Sequence, residues 1–129
     1  MSLRSRLLRI ALMVFGATFL LIYPLAIIWP SGWAWHAGAP HDSQYFMMIV
    51  GIYATLGVFL MNAARNPRAH LSLIWFTVWS SVVHGGIMAV QSFANAQYMG
   101  HLWGDVAALL LVAIVLALLT PRGATASAA

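Results

Sequence analysis

The sequence predicts an all-α protein: a membrane-spanning four-helix bundle with both termini in the cytoplasm. Three observations carry this expectation. The 129 residues are 63% hydrophobic and 6% charged, where soluble domains carry about a quarter charged residues. Mean hydropathy is +0.89, which places the chain in a bilayer. The charge consists of six arginines against Asp42 and Asp105, with neither Lys nor Glu, and the arginines recur at intervals that match alternate ends of four apolar runs.

Taken in order, residues 1–9 form a short basic lead with Arg4, Arg6 and Arg9. The first span, about residues 10–30, is apolar apart from Thr18 and Tyr23, and Pro24 is expected to kink it. Ala37-Gly38-Ala39 imitates a signal-peptidase site. The apolar run exceeds the roughly 7–15 residues of a signal peptide core, however, so the span is expected to stay uncleaved. A loop rich in Gly, Pro and Trp, holding His36, His41 and Asp42, leads to a second span at about 44–64. The basic turn from Arg65 to His70 precedes a third span at 71–94. A fourth follows at 98–120. Pro121 and Arg122 end it, and the Ala/Ser/Thr stretch within 121–129 reads as a disordered tail on a single 1–129 domain.

All six arginines fall on one side of this arrangement, which the positive-inside rule makes cytoplasmic. Trp29, Trp33, Trp35, Tyr45 and Trp103 cluster at the other boundary, as an aromatic belt. The pI of about 10.4 is therefore a consequence of topology, and it calls for no nucleic acid. The partners expected are the lipid bilayer and, beyond it, a second copy of the chain or another membrane protein. With no cysteine, disulfides and thiolate metal sites are excluded.

Chemistry concentrates between Thr77 and Asp105. Thr77, Ser80, Ser81, His84 and Gln91 share one face of the third span, and His101 and Asp105 are one turn apart on the fourth. Helical rise puts His84 about 20 Å, Asp105 about 22 Å and Tyr23 about 21 Å from the arginine-rich end, which makes them one layer. Gln91 and His101 form a second layer nearer the outer surface. An aspartate in mid-span costs about 2.5–3.5 kcal/mol. His84 and Asp105 are accordingly expected to bond each other, through a small-residue seam of Ser81, Gly85 and Ala89 against Gly104 and Ala108.

Three uses of this layer remain open. It can bind a small ligand or a proton from the outer side, because the inner half offers only Thr18, Thr55, Thr77, Ser80 and Ser81, too few for a through-path. It can serve only to pack helices in a non-catalytic accessory subunit. It can hold Cu or Zn, with His84, His101, Asp105 and Met88 as candidate ligands. No catalytic residue and no cofactor is indicated: Glu for a di-iron site is absent, and Ser80 and Ser81 read as backbone-bonded hydroxyls rather than nucleophiles.

Arg65-Asn66-Pro67, His70, Leu73-Ile74-Trp75-Phe76, Ser80 to Gly86 with Met88, and His101 to Val106 together carry a resemblance. Over about residues 44–120 the chain resembles a family of small bacterial four-helix membrane proteins of unknown function. In size and helix count it is loosely similar to DoxX-like proteins. The resemblance implies a four-span bundle in a bacterial inner membrane and implies no activity.

Overall fold

In the computed structural model, residues 1–29 and 39–122 are described. Every regular element among them is helical. The first apolar run begins earlier than its hydropathy suggests, because Ser2 caps it: the Ser2 hydroxyl accepts from Ser5 N at 3.2 Å, and α1 spans Leu3–Leu20. Pro24 then acts as anticipated. It has no N–H to offer the Leu20 carbonyl, and the helix breaks at Leu21 and resumes as α2, Ile22–Ile28, bent by 63°.

Ser43 caps α3, Gln44–Ala63, by accepting from Phe46 N at 3.2 Å. A one-turn 3-10 segment, Pro67–His70, reverses the chain into α4, Leu71–Ala94. A longer 3-10 segment, Ala96–Leu102, opens with Asn95 Oδ1 accepting from Gln97 N, and α5 runs Asp105–Leu119. Three stretches are long and apolar enough to cross a membrane, Gln44–Ala63, Pro67–Ala94 and Met99–Leu119, and the bent α1–α2 pair makes a fourth if counted as one span. The expected aromatic belt is described in part: Trp29, Tyr45 and Trp103 are exposed, while Trp33, Trp35 and His36 lie outside the described residues.

The helices pack unevenly. α1 lies along α3, α4 lies along α5, and α1 joins the two pairs by resting on α5. α3 and α4, although consecutive, share little packing. The closest approach is between α1 and α3, where Gly16 crosses Gly57. A Cβ on Gly16 would lie 2.7 Å from the Gly57 carbonyl oxygen, and one on Gly57 would lie 2.9 Å from Leu20 N. Only the absence of a side chain lets the two backbones meet there. The expected seam between the third and fourth helices is looser. Gly85 is buried, but a Cβ there would meet Leu109 at an ordinary 3.5 Å.

Around these crossings sits a core of Leu8, Leu12, Phe19, Leu60, Ile74, Val78, Val112 and Leu116. Large apolar side chains such as Ile52, Phe59, Trp79 and Leu111 are exposed on the outside of the array, the pattern of helices solvated by acyl chains rather than water. At the arginine-rich end, Arg4 closes the structure. Its Nε donates to Leu119 O at 3.1 Å, and one terminal nitrogen donates to Leu118 O at 3.0 Å and Thr120 O at 3.1 Å. These are the carbonyls that a helix C-terminus leaves without partners, so the start of the chain caps the end of α5.

Candidate functional site

Where α5 begins decides what Asp105 does. The 3-10 segment ends at Leu102 and Gly104 precedes the helix, so Asp105 is the first residue of α5 rather than a residue one turn or more inside it. A carboxylate in that position faces free backbone N–H groups and the positive end of the helix dipole. The N–H groups of Asp105 and Val106 face it. His101, one turn back in the 3-10 segment, donates from Nδ1 to both carboxylate oxygens at 2.9 Å. The two side chains are 19% and 12% exposed, which makes this a largely enclosed pair.

His84 therefore finds its partner elsewhere. The expected direct His84–Asp105 bond is absent; His84 Nδ1 instead meets the Tyr53 hydroxyl of α3 at 2.5 Å. The Tyr53 ring is held in turn by Phe19 of α1, edge-on at a centroid distance of 5.0 Å. Both Tyr53 and His84 are half-buried. The Asp105 carboxylate nevertheless lies close enough for its charge to act on Tyr53 and on His84. The polar layer thus comprises two hydrogen-bonded pairs, Tyr53–His84 and His101–Asp105, within electrostatic reach of one another.

Tyr23, expected level with His84 and Asp105, turns away from them. The bend at Leu21 redirects α2, and the Tyr23 hydroxyl meets His41 Nδ1 at 3.5 Å, while His41 Nε2 lies 3.4 Å from Asp42. This is a separate, exposed cluster. Gln91 is also exposed and lines a shallow apolar groove of about 510 Å³ on α4 with Val82, Val83, Gly86, Ile87 and Val90. Met88 is half-buried on α4, and its backbone carbonyl accepts from Ser92. The hydroxyls of Thr18, Thr55, Thr77, Ser80 and Ser92 all return to backbone carbonyls of their own helices, as mid-helix hydroxyls do. Among the described residues, no three His, Cys, Asp or Glu side chains converge in a way that could hold a metal ion.

Tyr53 is the residue that sequence reasoning passed over. Its signal was the one that drew attention to Tyr23: a phenolic hydroxyl within an apolar run, which seeks a partner when buried. It sits about 16 Å from the arginine-rich end of its helix by rise alone, just below the layer assigned to His84.

Chemically, the arrangement presents one open position. With a neutral imidazole, Tyr53 donates to His84 Nδ1, and His84 Nε2 then carries the ring proton. Among the described residues nothing accepts from Nε2. A donor in mid-span with no acceptor is the feature a bound molecule would answer.

Compared with known proteins, no curated protein and no solved structure matches the chain. Residues 3–128 match a family described as a family of unknown function, DUF6632.

Proposed function

Because the chain belongs to this family of unknown function, its role has to be read from its own residues, and we propose that it is a four-span inner-membrane protein whose outward-facing polar layer binds a small hydrogen-bond-accepting ligand or a proton. All six arginines occupy the loops and ends of one side, which supports cytoplasmic termini. The layer itself is Tyr53, His84, His101 and Asp105. The observation that carries the reading is His84: its Nδ1 is fixed by Tyr53, its Nε2 is unanswered, and a carboxylate charge stands within reach. A proton arriving at His84 would reverse the bond, since both ring nitrogens then donate and the Tyr53 oxygen accepts. A small ligand with an acceptor atom would take Nε2–H directly.

One observation favours a second reading, in which the layer only packs helices. Since α3 and α4 share little packing, the Tyr53–His84 bond is itself a tie between them. A His84→Asn, Asp105→Asn double variant separates the two. If the layer binds, the variant keeps its stability in detergent to within about 2 kcal/mol but fails to complement a deletion strain. If stability and complementation fall together, the layer is structural.

A further inference from the structure

We infer that the arginine-rich end carries a binding site for one anionic phospholipid headgroup, with Arg9 as its central donor. Charge is the first reason. The chain's two carboxylates stand at the far ends of their helices: Asp105 opens α5, whose other end Arg4 caps, and Asp42 precedes α3, whose other end runs into Arg65. No acidic side chain among the described residues is left to neutralise the arginine-rich end.

Register is the second reason. α1 and α3 run antiparallel, with Gly16 against Gly57 and Met61. Continuing that register about two turns sets Arg9 level with Ala64 at the end of α3, and so beside the turn that holds Arg65 and Arg68. Arg9 therefore stands at the level where α3 hands over to α4 and where the turn carries two further arginines.

The third reason is an unmet hydrogen bond. Arg9 is half-buried, and its Nε is enclosed with no partner. Thr120 Oγ1, on a fully buried residue, is the other enclosed side-chain nitrogen or oxygen without a partner among the described residues, and it lies at the same end, on the residue whose carbonyl Arg4 holds. Arg4 shows what satisfaction looks like here, since its Nε and a terminal nitrogen are spent on three carbonyls. A buried donor left open is rare and points to a missing acceptor. Since Nε is enclosed, a phosphate would meet the guanidinium through its two terminal nitrogens, a fork that matches two phosphate oxygens. Ile10, Met13 and Val14, exposed and apolar on the same helix just above Arg9, offer acyl chains a surface, so the phosphate is that of a lipid.

The test uses the full chain purified in a neutral detergent and titrated with phosphatidylglycerol, phosphatidylcholine or inorganic phosphate, with binding read from thermal shift and native mass spectrometry. Phosphatidylglycerol should bind and raise the melting temperature, and the other two should not. Arg9→Gln should weaken that binding about tenfold or more, the worth of a charge-assisted hydrogen bond. Arg9→Lys, which keeps the charge and the fold but loses the fork, should also weaken it, while Arg6→Gln should leave it unchanged. The inference is overturned if phosphatidylcholine or inorganic phosphate binds as well. It is equally overturned if Arg6→Gln weakens binding as much as Arg9→Gln, which would mean diffuse attraction to a charged surface.

Discussion

Replacing Gly57 by alanine adds one methyl group at the tightest point of the molecule. The new Cβ would lie 2.9 Å from Leu20 N and 3.3 Å from Phe19 Cβ, and nearer still to the Gly16 carbonyl oxygen. Two of those neighbours are backbone, which cannot rotate away, so α1 and α3 must separate. Overpacking of this kind costs about 1–3 kcal/mol, and the rigidity of the neighbours argues for the upper half of that range. Against it stands the helical preference for Ala over Gly, about 0.8–1.0 kcal/mol. The net expectation is a loss of roughly 1–2 kcal/mol. Gly51→Ala on the same helix is the internal control. Nothing lies within 4 Å of a Cβ there, so only the propensity gain of up to about 1 kcal/mol remains. Both variants can be unfolded reversibly in mixed detergent micelles and compared with the parent. Opposite signs are expected. If Gly57→Ala proves as well tolerated as Gly51→Ala, the crossing does not limit the approach of α1 and α3.

Other expectations concern the polar layer, the topology and the cap. Tyr53→Phe removes the hydroxyl but keeps the ring against Phe19, so it should cost only about 0.6 to 2 kcal/mol in the same assay. It should also shift the His84 ring-nitrogen resonances, and unchanged resonances would refute the Tyr53–His84 bond. A reporter fused after Arg122 should read as cytoplasmic and one inserted near Gly38 as exterior; a C-terminal reporter on the outside would remove the four-span topology. Arg4→Ala frees the carbonyls of Leu118, Leu119 and Thr120, so amide exchange should accelerate in the last turn of α5 and remain unchanged in α3.

Much of the fold was legible because its causes are local. Apolar run length, Pro24 and the turn from Arg65 to His70 each act over a few residues, and the structure places helices where they direct. The first and fourth spans differ from expectation for reasons equally local but quieter. Ser2 starts α1 ahead of the hydrophobic run, and a 3-10 segment delays α5 until Asp105. That delay explains why His84 and Asp105 were expected to bond each other and instead take Tyr53 and His101. Depth estimates by helical rise brought His84 and Asp105 to the same region, yet they cannot show that Asp105 begins a helix and is served by backbone N–H groups and His101. Nor can spacing within one helix reveal Tyr53, whose partners Phe19 and His84 stand on two other helices, α1 and α4. Tyr23 was lost to the layer because a bend rotates everything beyond it, and the angle of a bend is a tertiary quantity.

The Arg4 cap bears on the order in which the molecule is assembled during synthesis. Arg4 leaves the ribosome well ahead of the carbonyls it holds, those of Leu118, Leu119 and Thr120. More than a hundred residues must be made and inserted before that contact can close. In the interval the α1–α3 pair has to stand in the bilayer without α5, and the Gly16–Gly57 crossing gives it a close backbone contact of its own. The α4–α5 pair can then dock as a second unit, and Arg4 fastens the two only once Thr120 has been made. A nascent chain arrested before Leu118 should therefore hold its first pair formed and its amino-terminal arginine free.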